Sequence, residues 1–105
     1  MTLRRIGLAI FAAFWLSSVP ALGKTIQVTI DKLAFEPAEV DAKVGDTVEW
    51  INKDALAHTA TATNGDWNVN IPPSRRAQLV LKKPGVADYF CKFHPNMQGR
   101  LVVAP

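Results

Sequence analysis

Cys91, His94 and Met97 recur at three-residue intervals in the segment Cys91-Lys92-Phe93-His94-Pro95-Asn96-Met97. The chain there offers a thiolate, an imidazole and a thioether in close succession. Alone, a cysteine at a strand end is usually a small buried hydrophobe, and a methionine usually fills core space. Together the three read as metal donors. Cys91 is the one cysteine, so no internal disulfide can form, and the two histidines are His58 and His94. A lone thiol in an exported protein is oxidised unless it is buried or ligated. One cysteine, two histidines and one methionine make up a trigonal His₂Cys site with a long, weak axial methionine, which suits copper. Soft sulfur donors favour Cu(I), and imidazole accepts both Cu(I) and Cu(II). A site between the two preferred geometries needs little rearrangement when one electron arrives or leaves. Zinc prefers Cys, His and carboxylate to a thioether. The candidate ligands are therefore His58, Cys91, His94 and Met97, and the implied cofactor is one copper ion.

His58 is remote from the other three donors, so a folded scaffold has to bring them together. Lys24 to Ile30 alternates, with Ile26, Val28 and Ile30 on one face, as a half-buried strand requires. Phe35 to Val40, through Pro37, reads as an irregular edge segment. A turn at Val44-Gly45-Asp46 precedes a strand over Thr47 to Ile51, and Ala57 to Ala62 is a further strand. Asn64–Gly65 signals a tight hairpin, both residues tolerating positive φ. Trp67 to Ile71, Ala77 to Leu81, Val86 to Cys91 and Gly99 to Val103 complete the set, with Pro72–Pro73 and Lys83-Pro84-Gly85 as breaks. Cys91 ends one strand, Met97 opens the next, and His94 lies on the loop between them, where Pro95 biases it toward extended geometry. No long helical stretch is present. The expected fold is all-β: an antiparallel Greek-key β-sandwich of seven to eight strands. Trp50 reads as core, Trp67 as core edge or partner surface, and Arg75–Arg76 as a solvated loop pair.

Residues 1–23 stand apart. Arg4 and Arg5 precede an apolar run from Ile6 to Leu16, and Ala21 and Gly23 are small residues around Leu22. That is the order of a secretory signal peptide cut near Gly23–Lys24. The run is too short for the roughly 20 residues of a spanning helix, so no stable membrane insertion is expected after cleavage. One domain then fills residues 24–105. Removing Arg4 and Arg5 from the 12 basic residues leaves ten against 9 acidic ones, a net charge near +1. No basic stripe remains, which argues against nucleic-acid binding.

Three stretches, Lys43 to Asn52 (KVGDTVEWIN), Asp54 to His58, and Asp88 to Val103 (DYFCKFHPNMQGRLVV), resemble the cupredoxins, and among them the amicyanin group in the Cys-x-x-His-x-x-Met spacing. The resemblance implies a cupredoxin-like sandwich with a type 1 blue-copper site: His58, Cys91 and His94 as strong ligands, Met97 as the axial one. It implies a monomeric, periplasmic carrier of single electrons, whose redox donor and acceptor (a dehydrogenase, cytochrome or oxidase) dock near His94, Phe93 and Pro95. Leu56 would join that patch. Thr59 stands where the family often has an Asn that supports the cysteine sulfur, Ala57 where amicyanins have Pro, and Ala87 where relatives often place Tyr. The alternative is a periplasmic copper-delivery protein, although the chain has no His-rich tract and no methionine beyond Met1 and Met97. A Cys91–His nucleophile and base pair would suit an enzyme. The four ligands are committed to a metal and the chain leaves little room for a cleft, so none is expected.

Overall fold

Wherever the sequence alternates between apolar and polar side chains, the chain forms strand. The computed structural model describes residues 23–105, so the expected signal peptide lies outside them except for Gly23. Nine strands and no helix are present among the described residues: β1 (Thr25–Asp31), β2 (Ala34–Glu36), β3 (Glu39–Lys43), β4 (Thr47–Asn52), β5 (His58–Ala62), β6 (Asn68–Ile71), β7 (Arg76–Val80), β8 (Gly85–Phe90) and β9 (Gln98–Ala104). They form two sheets in the orders β2-β1-β4-β7 and β3-β9-β8-β5-β6.

The sandwich differs from the sequence expectation in two details. The Phe35 to Val40 segment is two short strands rather than one irregular edge, β2 in the first sheet and β3 in the second. Pro37 and Ala38 carry the chain across, which raises the strand count to nine. The sheets are also mixed rather than wholly antiparallel. β1 pairs parallel with β4, from Thr25↔Thr47 to Ile30↔Asn52, and β3 pairs parallel with β9. The chain leaves the first sheet after β2 and re-enters it at β4, so β4 runs in the direction of β1, as a crossover connection requires. Alternation reports which face a residue uses, not which neighbour its strand will take.

Asn64–Gly65 does mark the β5–β6 hairpin, but the connection is the longer Thr63 to Trp67. Only Gly65 takes a positive φ, 84°. Asn64 instead accepts the Asp66 N–H on Oδ1 at 2.9 Å, a side-chain turn.

The core lies between the sheets. Val28, Ile30, Val48 and Trp50 from the first meet Ala60, Ile71, Tyr89, Leu101 and Val103 from the second. Trp50 is fully buried and its Nε1–H donates to the Tyr89 hydroxyl at 3.3 Å. The Tyr89 ring centroid lies 4.8 Å from that of Phe35, 5.6 Å from Trp50 and 5.7 Å from Trp67, within the range of favourable aromatic pairs. Trp67 is thus core edge. Gly99 is needed where the Tyr89 ring crosses β9: a Cβ there would sit 2.3 Å from Tyr89 Cζ. Arg76 opens β7 and reaches Glu49 at 3.4 Å, while Arg75 is exposed in the preceding turn.

Two poles result. At one, Gly45 turns with φ 98°, Lys24 N–H donates to Asp46 Oδ1 at 3.0 Å, and Val44 N–H donates to Ala104 O at 2.9 Å. There β1 begins and β9 ends. The other pole holds the end of β4, the start of β5 and the β8–β9 loop, where all four candidate ligands lie.

Candidate metal centre

The three-residue spacing of Cys91, His94 and Met97 becomes two successive turns. His94 N–H donates to Cys91 O at 3.3 Å, and Met97 N–H donates to His94 O at 2.8 Å. Pro95 falls at the second position of the second turn, where its fixed φ fits. Cys91 N–H donates to Met97 O at 3.1 Å and closes the loop at its base. Cys91 is fully buried and Met97 nearly so, while His94 is half-buried and Phe93 is 62% exposed at the tip.

His58 arrives from β5. The β5–β8 ladder pairs Thr61 with Phe90 and Ala62 with Tyr89, and then stops. Beyond it, the Thr59 N–H donates to Cys91 Sγ at 3.3 Å, and the Lys92 N–H donates to Thr59 Oγ1 at 2.9 Å. The two strands part just enough to admit the sulfur, and each freed donor finds a partner. Thr59 replaces the family's asparagine without leaving the sulfur unsupported: its backbone donates to the sulfur and its hydroxyl holds the loop residue that follows Cys91.

Cys91 Sγ lies 3.7 Å from His58 Nδ1 and 3.8 Å from His94 Nδ1. One donor atom from each of the three residues falls within 4.8 Å of the others. The imidazoles meet edge-on, with 5.0 Å between centroids and planes inclined by 61°. The structure therefore brings His58, Cys91 and His94 together, with Met97 buried on the same loop.

Sequence reasoning gave no role to Asp54. Its Oδ2 accepts from His58 Nε2 at 2.8 Å. An ionised carboxylate only accepts, so Nε2 carries the proton, and in the neutral imidazole this leaves Nδ1, the nitrogen nearer Cys91, as the one able to bind a metal. Burial alone would raise the Asp54 carboxyl, but the Leu33 N–H, the His58 ring and the Lys32 N–H together hold it below the ordinary value. Asn52 completes the bracket: its Nδ2 donates to Leu56 O at 2.8 Å and Ile71 O at 3.1 Å, and its Oδ1 accepts the Asp54 N–H at 2.9 Å. A carboxylate four residues before a histidine was the available signal. It carries little weight until the fold shows that both point inward.

The donor set fits a copper ion: two imidazole Nδ1 atoms and a cysteine sulfur converge in a site largely shielded from water, a methionine is buried on the same loop, and the remaining nitrogen of one imidazole is fixed by a carboxylate. A two-layer β-sandwich with that set at one pole has the architecture of a type 1 copper protein. The chain belongs to the cupredoxin-like family, whose domain matches residues 6–103. It is 37% identical over 84 residues to amicyanin of Paracoccus denitrificans, covering 74% of this chain and 64% of that protein. It is also 37% identical over 83 residues to amicyanin-alpha of Methylorubrum extorquens, covering 73% of this chain and 70% of that one. The chain thus spans slightly less than two thirds of the first relative. The reduced state of an amicyanin mutant superposes with a TM-score of 0.66 at 35% identity, over 75% of this chain and 81% of that one.

Proposed function

We propose that this protein is an exported electron carrier that holds one copper ion through His58 Nδ1, Cys91 Sγ, His94 Nδ1 and the Met97 thioether. Bound copper supplies a one-electron couple between Cu(II) and Cu(I). The protein's part is to fix the donors in advance, so that a change of charge moves little, and to exclude water from the thiolate. The observation that carries this reading is the convergence of three donor atoms within 4.8 Å from two separate parts of the fold.

Electrons would pass through the His94 ring, because His94 is the half-exposed ligand while His58 and Cys91 are buried. Phe93 (62% exposed), Leu56 (51% exposed) and Pro95 give that edge an apolar surround against which a redox donor or acceptor protein docks. A buried Cys91 cannot present its thiol to a substrate, which favours a carrier over an enzyme. The same burial slows metal exchange and favours electron transfer over copper delivery. Export rests on the leader pattern of residues 1–23.

The copper-loaded protein should show an intense visible band that the Cys91→Ser variant lacks, together with a reversible one-electron couple. A colourless wild type defeats the proposal, and rapid loss of copper to a chelator shifts the reading to delivery.

A further inference from the structure

The Asp54 carboxylate is held in an uncommon way. The β1–β2 connection is Lys32-Leu33, and both residues have left-handed backbone, with φ of 53° and 61°, although neither is glycine. Such conformations are disfavoured for side chains of this kind and persist where the surroundings compensate. Here both N–H groups turn onto one carboxylate. Lys32 N–H donates to Asp54 Oδ1 at 2.8 Å, and Leu33 N–H donates to Oδ2 at 3.1 Å. Consecutive amides arranged this way form a concavity suited to an anion. With Oδ2 also accepting from His58 Nε2 and the Asp54 backbone bonded to Asn52, neither oxygen is free to turn away. A chain of contacts runs from a surface hairpin to the imidazole. No counterpart exists on the other side: among the described residues, no hydrogen bond or ion pair engages the far nitrogen of His94.

We propose that Asp54 is a positioning residue of the metal centre, seated in the Lys32–Leu33 turn so that a fixed negative charge behind His58 favours the oxidised form. This rests on the copper reading above. A carboxylate accepting from Nε2–H makes Nδ1 a stronger donor. A fixed negative charge one ring away stabilises a doubly charged ion more than a singly charged one. Both effects act in the same direction, lowering the reduction potential below that of a site with a neutral partner. The two backbone N–H groups of the turn, which glycine at these positions would also supply, keep the carboxylate from rotating into solvent.

The experiment compares the copper-loaded wild type with Asp54→Asn and Asp54→Glu by spectroelectrochemistry. Asp54→Asn keeps the shape and removes the charge. Its visible band should persist, while the ratio of Cu(II) to Cu(I) affinity falls about tenfold, a rise of about 59 mV for one electron. Asp54→Glu restores the charge and should recover at least half of that shift. The same Asp54→Asn change is then made with Lys32→Gly and Leu33→Gly, where positive φ carries no steric penalty. In that background the potential should move by the same factor, while the fall in Tm becomes smaller than in the wild type. A potential unmoved by Asp54→Asn despite a lowered Tm overturns the proposal, because Asp54 is then only structural. A shift that vanishes in the glycine background also overturns it, by tracing the change to turn distortion. A wild type without the visible band would instead refute the copper reading, so the two failures are distinct.

Discussion

His58 and His94 approach the same sulfur at nearly the same distance, 3.7 and 3.8 Å, from opposite kinds of surroundings. His58 starts a strand whose five residues are all buried, and its other nitrogen is fixed by Asp54. His94 sits on the seven-residue loop between β8 and β9, where Lys92, Phe93, Pro95 and Asn96 beside it are exposed. One histidine is held by the sandwich; the other is held by two hydrogen-bonded turns. Equal reach toward the sulfur thus coexists with unequal access: one ring is shut inside the sandwich while the other keeps an edge toward solvent.

The largest effect expected from this contrast is on rescue. His58→Gly and His94→Gly should each abolish the visible band of the copper-loaded protein. Added imidazole should restore it only in His94→Gly, whose vacated position opens to solvent. Equal rescue of both variants, read by absorbance titration, would erase the distinction.

The anchored side leans on the aromatic core, and alkali probes that support. Burial pushes the Tyr89 phenol up to about 12, against an ordinary value near 10, although the Trp50 indole N–H pulls the other way. Between those pH values the unfolded chain loses a proton that the folded one keeps. Stability is therefore fully present below pH 10 and should fall by about 2–3 kcal/mol as pH rises to 12. Denaturant titrations across that range should show the slope, and Tyr89→Phe should flatten it while losing about 1–2 kcal/mol at neutral pH through the unpartnered indole N–H.

The smallest effects compare the two supports directly. Thr59→Ala removes the acceptor for the Lys92 N–H on the anchored side and should cost about 1–2 kcal/mol. Pro95→Ala loosens only the loop side, mainly by freeing the unfolded chain, and should cost about 0.4–1 kcal/mol. Calorimetry of the metal-free variants gives both values, and a reversed order would place the rigid support on the loop.

Much of this was legible before the fold was known, and for physical reasons. Cys91, His94 and Met97 are chemically distinctive residues at an interval that two turns gather onto one short loop. Ile26, Val28 and Ile30 announce their strand through their own alternation. The parallel β1–β4 and β3–β9 pairings were not legible, because register depends on where the chain returns after a crossover. Nor was the role of Asp54, whose meaning depends on Lys32 and Leu33, about twenty positions upstream and brought alongside by that same parallel pairing. Thr59 was legible only as a departure from the family. That its backbone N–H would reach the sulfur follows from the ladder ending at Thr61↔Phe90.

The pole at which Lys24 pairs with Asp46 and Ala104 receives the Val44 N–H has a practical consequence. Both ends of the domain leave from there. β1 runs for 7 residues toward the opposite pole, a span of about 23 Å at the usual rise of a strand. An affinity tag, a fusion partner or an electrode linker joined just before β1 or just after β9 would hang from the side away from the half-exposed His94 imidazole. The pole that carries the candidate ligands would stay turned outward, whatever the protein is fastened to.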